Sequence, residues 1–174
     1  LPILRRKMSN NIKLSVELDS ADRAILEELQ KDGRLSNVEL ARRIHLSPPA
    51  AHVRRKRLED EGYLEQYSAV LNRKKMGYDM LCFIHLHLQM HQLENVEIIL
   101  EEVHKFPEIL ECHHVTGEYD YLLKVLIRDR EDLEDFIVNR LMPIPGIARI
   151  QTSIVLRDIK STTCIPIKIN RDEP

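Results

Sequence analysis

Apolar positions along the chain follow two periods, and the change falls near residue 77. Before it they recur at helical spacing. Ala21, Ile25, Leu26 and Leu29 share one helical face, Asp19 stands at the N-cap position, and Asp32-Gly33 ends the run. Ser36-Asn37-Val38-Glu39 has the form of a capping box, opening a short helix that buries Leu40, Ala41 and Ile44. Ser47-Pro48 sets a capping hydroxyl before a proline at the first helical position, so a third helix follows at once and runs to about Asp60. Two helices across so short a turn, after a supporting helix, make a helix-turn-helix. His45 holds the turn position, and histidine tolerates the left-handed backbone better than most non-glycine residues. Tyr63 to Leu71 predicts a short strand or hairpin, which would make the module winged, and Arg73 to Gly77 reads as a linker.

The second half alternates. Met80, Cys82, Ile84, Leu86, Leu88 and Met90 share one strand face, while Leu81, Phe83, His85, His87 and Gln89 share the other. Leu93 to Phe106 is helical, with Val96, Ile99, Leu100 and Val103 as its stripe. Strands are predicted at Ile109 to Val115 and Tyr121 to Ile127, joined at Gly117. Asp129 caps a helix through Leu141, and Ile147 to Leu156 is the last strand. Phe106-Pro107 and Met142-Pro143 each end a helix just before a strand, a weak internal echo. Two split β-α-β units of this kind form a ferredoxin-like sheet with both helices on one face. The fold class is therefore α+β. Its expected organisation is a flexible arm over 1–17, a winged helix-turn-helix over 18–72 and a linker over 73–79. A βαββαβ domain over 80–167 and a tail over 168–174 complete it. The uncovered sheet face, with Leu81 and Phe83, predicts a dimer.

Composition removes several functions. The five glycines are never closer than fifteen residues, so neither a dinucleotide-binding G-x-G-x-x-G nor a phosphate-binding P-loop can be present. Three cysteines without paired spacing point away from a disulfide scaffold and toward a reduced, cytoplasmic setting. No apolar run approaches the roughly 18 residues of a membrane span, so no membrane partner is expected. The net charge of −2 argues against nucleic-acid binding only until it is divided. Residues 1–75 hold 16 basic and 11 acidic side chains, while residues 76–174 hold 10 and 17.

Four of those sixteen basic side chains stand together as Arg54-Arg55-Lys56-Arg57, on the helix that the turn presents. At 100° per residue, Ala51 and Leu58 mark the buried side, and Pro49, His52, Val53, Lys56 and Arg57 point away from it. Lys56 and Arg57, with Arg54 at the flank, are expected to meet phosphates or guanine edges, and the free amides at Ser36 and Ser47 can hold phosphate. Arg55 falls near the buried side, its stem covering the core while its head escapes.

Gly117-Glu118-Tyr119-Asp120-Tyr121 forms a tight turn presenting a carboxylate. Asp120 can receive the ammonium of an amino acid, with Thr116 or the Gly117 amide holding the carboxylate; it can equally cap backbone amides of the hairpin. His85, His87, His91, Cys112, His113 and His114 invite a metal reading, but their strand faces diverge and no tetrahedral spacing is present. Structural histidines at a dimer face are the better reading, and neither a metal nor a cofactor is expected. No nucleophile motif or paired carboxylates with a glycosidase context occur, so an enzyme is not expected.

From about Leu18 to Ile167 the chain resembles the leucine-responsive regulatory protein/AsnC family of transcription regulators. The resemblance rests on Leu18-Asp19-x-x-Asp22-x-x-Ile25-Leu26, on Leu46-Ser47-Pro48-Pro49 leading to Lys56-Arg57-Leu58-Glu59, and on Gly117-Glu118-Tyr119-Asp120-Tyr121. His45, where the family has glycine, and Arg55, where it has an apolar residue, depart from the pattern. The resemblance implies a winged helix-turn-helix joined to a regulatory domain, dimers assembling into tetramers or octamers, and usually an amino-acid effector. It carries an effector site over to His114, Thr116, Gly117, Asp120 and Tyr121, with Thr152 and Ser153 from the last strand. The expected function is thus a sequence-specific regulator that binds double-stranded DNA and answers a small effector, most simply an amino acid. The alternative is a small-molecule- or metal-sensing oligomeric protein without specific DNA recognition.

Overall fold

The computed structural model describes residues 18–89 and 93–167; the arm at 1–17, Met90, His91 and the tail at 168–174 lie outside them. The chain divides into two compact units, one of residues 18–69 with 162–167 and one of residues 70–161.

In the first unit α1 spans Ser20–Lys31, α2 Asn37–Arg43 and α3 Pro48–Asp60. The reciprocal capping box falls on α1, not on α2. The Asp22 amide donates to Asp19 Oδ1 at 2.8 Å, and the Asp19 amide donates to Asp22 Oδ2 at 3.3 Å. Ser36 caps α2 by accepting from the Glu39 amide, but the Glu39 carboxylate turns to Arg42 and Arg43 instead of closing the box. Two guanidiniums outbid one backbone amide for that carboxylate. Ser47 caps α3 with Pro48 at its start. His45 adopts φ 56°, the left-handed turn expected of it. Ile25, Leu26, Leu29, Leu35, Leu40 and Leu58 form the core, and Ala41 and Ala51 are buried as well.

Residues 63–72 form no strand, which corrects the short strand or hairpin read at 63–71. That stretch has no Asn-Gly or Asp-Gly pair to reverse it. Tyr67 instead anchors it to α3, donating to Glu59 Oε1 at 2.8 Å beneath the Arg55 guanidinium, 4.9 Å from the ring centre. Gly33 makes room, since a Cβ there would stand 3.1 Å from the tyrosine ring. The domain reading that ran the second domain to 167 also differs from the structure. Residues 162–167 join the first unit, where Gln30 Nε2 donates to the Ile165 carbonyl at 3.1 Å and Gln30 Oε1 accepts from the Ile165 amide at 2.5 Å.

The second unit is βαββαβ as read. β1 (Met80–Leu88), β2 (Ile109–His114), β3 (Tyr121–Ile127) and β4 (Ile147–Ile154) form one antiparallel sheet in the order β2-β3-β1-β4. α4 spans Leu93–Lys105; α5, Arg130–Asp135, is capped by Asp129 and passes into a π-helical stretch, Phe136–Leu141. Cys82, Ile84 and Leu86 from β1 and Leu123, Val125 and Ile127 from β3 are buried with Ile99, Val103, Phe136 and Leu141. Arg140 packs over Phe106 and Phe136, 4.7 and 4.9 Å from their centres, and donates twice to Glu108 at 2.9 Å. That pair holds the Glu108 carboxyl below its ordinary range.

Candidate functional site

On α3 the outward face consists of Pro49, His52, Val53 and Lys56, all exposed. Val53, an apolar side chain, is 66% exposed. With Ser36, Asn37, Arg55, Glu59 and Asp60, the pair His52 and Lys56 lines a groove of about 580 Å³. Ser36 and Ser47, at the starts of α2 and α3, are exposed too, although each hydroxyl already accepts an amide of its own helix.

Arg54 and Arg57 turn the other way, which corrects their reading as groove contacts. Arg54 Nη1 donates to Asp19 at 2.6 Å and Asp22 at 2.9 Å, and Arg57 Nη2 pairs with the second oxygen of Asp22. Asp22 is 1% exposed, and a carboxylate so buried is tolerable only when paired. Asp22 lies three positions before Ile25 and seven before Leu29, so it sits on the apolar stripe of α1. That position was the available signal that α1 needs cations from α3.

Arg55 also differs from expectation, because its head does not escape. It donates to the Leu35 carbonyl at 3.0 Å, to Asn37 Oδ1 at 3.4 Å and to Glu59 at 3.1 Å. On α2, hydrogen bonds from Arg42 and then Arg43 hold the Glu39 carboxyl at about 2.

In the second unit Gly117 has φ +124°, a conformation that strains any other residue, and Thr116 and Gly117 are exposed. The Asp120 carboxylate caps a backbone amide, but of β1 and not of its own hairpin: Oδ2 accepts from the Leu88 amide at 2.8 Å, with His87 Nδ1 3.5 Å away. Its side chain nevertheless stays 41% exposed. His114 stacks on Tyr121 with centroids 5.0 Å apart, and Tyr121 is buried in the core.

Tyr119 was missed. Its ring lies 4.6 Å from His85 and its hydroxyl donates to Gln151 Oε1 at 2.6 Å, so the turn reaches over β1 to β4 on the face that the helices leave open. Thr152 pairs with buried Ile84 and Ser153 with Phe83, so the two face opposite sides of the sheet. They cannot line one site together, and Gln151 is the β4 residue that meets the turn. A second cavity of about 360 Å³, lined by Leu100, Val103, Phe106, Ile109 and Cys112, contains none of these side chains.

The histidines disperse: His113 pairs with Glu111 at 3.1 Å, on the other side of β2 from His114. Among the described residues no group of three or more His, Cys, Asp or Glu side chains could hold a metal ion. No helix among them is long and apolar enough to cross a membrane.

Residues 18–65 match the winged helix-turn-helix DNA-binding family, and residues 81–165 match the Lrp/AsnC ligand binding domain family. The chain is 36% identical to the transcriptional regulator AzlB of Bacillus subtilis over 154 residues, 88% of this chain and 98% of that protein. It is 38% identical to the leucine-responsive regulatory protein of Escherichia coli over 152 residues, 87% of this chain and 93% of that one. Among solved structures, the transcriptional regulator NMB0573 of Neisseria meningitidis, crystallised as an L-Met complex, superposes with a TM-score of 0.84 at 38% identity, covering 86% of this chain and 97% of that one. The chain belongs to the Lrp/AsnC family of transcriptional regulators, with a DNA-binding winged helix-turn-helix followed by a ligand-binding domain.

Proposed function

We propose that this regulator acts in the cytoplasm as a dimer or larger assembly, reads double-stranded DNA with Pro49, His52, Val53 and Lys56, and answers an amino acid held at the 116–120 turn. The amides at Ser36 and Ser47 would hold phosphates beside that face. In the effector site the open oxygen of Asp120 receives the ammonium, and Thr116 and the Gly117 amide take the carboxylate. His114 and Tyr121 support the turn by stacking, and Ser153 lies on the open face two residues along β4 from Gln151. The carrying observation is the Tyr119–Gln151 hydrogen bond, which ties the turn to β4 across β1. The L-Met complex of the Neisseria relative supports an amino acid as the ligand class. Half-buried Phe83, Leu122 and Leu126 on the open sheet face favour a second copy as its cover.

A thermal-shift screen against the twenty amino acids tests the effector reading, because a ligand bound only by the folded state raises its stability. At least one amino acid should raise the wild-type midpoint and leave Asp120→Ala unmoved. An equal shift in both proteins would reject the site.

A further inference from the structure

We infer that a hydrogen-bonded relay from Arg55 through Asn37 fixes the His52 imidazole in the tautomer protonated on Nε2, and that His52 thereby reads an acceptor atom on a base edge. The base contact rests on the DNA-reading face proposed above; the tautomer does not. Arg55 is the fixed end. A guanidinium only donates, so the Asn37 atom 3.4 Å from Arg55 Nη1 is the amide oxygen. The same Nη1 donates to the Leu35 carbonyl at 3.0 Å. Glu59 and the Tyr67 ring hold the guanidinium from the other side, leaving that side chain 19% exposed.

With its oxygen turned to Arg55, Asn37 presents its NH₂ group to His52, Nδ2 to Nδ1 at 2.9 Å. An NH₂ group has no lone pair to offer, so His52 Nδ1 must accept. The ring proton is then on Nε2. An imidazolium donates from both nitrogens and would lose this contact. His52 is exposed, one helical turn from Pro49 and from Lys56, so the relay ends in a fixed N–H donor on the outward face of α3.

In the major groove a lone donor fits purine N7, guanine O6 or thymine O4, while the cytosine amino group is itself a donor. His52 is therefore a specificity-determining residue that favours an acceptor and disfavours cytosine at its position. Asn37, which need not touch DNA, is the positioning residue.

Nitrogen-15 NMR of histidine-labelled full-length protein without DNA reads the tautomer directly, the His52 signal being the one absent from His52→Gln. The expected result is an Nε2-protonated ring in the wild type and a mixture of tautomers in Asn37→Ala. A proton on Nδ1, or no change in Asn37→Ala, would overturn the relay. Selection from a random DNA library tests the contact. His52→Ala should lose a preference against cytosine of about ten-fold at one base pair per half-site and keep the others. An unchanged preference at every position would overturn the base contact alone. A wild-type protein that selects no DNA would overturn the DNA-reading face with it, leaving the tautomer to be judged by NMR.

Discussion

Arg57 donates to Asp22, so one of four consecutive basic residues on α3 is committed to the fold. Arg54 takes the other oxygen of the same carboxylate and Asp19 besides. The basic run therefore divides by direction: two arginines clamp α3 to α1, Arg55 ties it to α2, and Lys56 is left on the outward face.

Removing Asp22 would leave Arg57 without that carboxylate and Arg54 with Asp19 alone, both guanidiniums about a third exposed. Asp22→Ala should destabilise the protein by about 1–3 kcal/mol, as loss of charge-assisted hydrogen bonds to partly exposed partners does. Urea denaturation followed by circular dichroism measures it. A change within about 0.5 kcal/mol, the range of ordinary surface substitutions, would show that the clamp contributes little.

Lys56→Ala should leave the unfolding midpoint unchanged while lowering the slope of log affinity against log salt by about one. Arg57→Ala should do the reverse, costing about 1–3 kcal/mol of stability because one oxygen of the buried Asp22 carboxylate loses its guanidinium, and leaving the slope intact. Fluorescence anisotropy on a DNA duplex at several salt concentrations separates the two.

Glu108 titrates below its ordinary 4.5 in the folded protein because Arg140 donates to it. A depressed carboxyl contributes stability that is present above its unfolded value and lost as pH falls through the folded one. Denaturation midpoints should therefore hold above about pH 5 and fall below about pH 4. Glu108→Gln should be less stable at neutral pH and lose less on acidification. A parallel fall in both proteins would assign the acid sensitivity elsewhere.

Tyr119→Phe deletes only the hydroxyl that reaches Gln151. The variant should fold, bind DNA with wild-type affinity and respond more weakly to the effector. Isothermal titration with the amino acid that stabilises the wild type gives the test, and wild-type affinity would separate the Tyr119–Gln151 bridge from the site.

Local signals made much of this architecture legible. Ser36, Ser47, Asp19 and Asp129 cap the helices they precede, His45 takes the left-handed turn, and the switch from helical to alternating period marks the second unit. The errors arise where a side chain is claimed by a partner far away in sequence. A helical projection gives the angle of Arg57 but not the carboxylate 35 residues earlier that draws it inward. Asp120 is similar: the turn was readable, but the Leu88 amide that it accepts from belongs to β1, 32 residues away. Tyr119 and Gln151 are also 32 residues apart and meet only because β1 lies between β3 and β4. The Thr152 and Ser153 pair fails for a simpler reason, since neighbours on a strand face opposite sides.

The central claim is that a DNA-reading helix and an amino-acid site operate in one protein. Anisotropy titration of DNA from upstream of its own gene, with and without the amino acid that stabilises the protein, tests it most directly. The wild type should bind at near-physiological salt with a midpoint that moves several-fold on adding the ligand, while Asp120→Ala binds equally well and does not move. Absence of binding by the wild type, or the same shift in Asp120→Ala, would contradict the account.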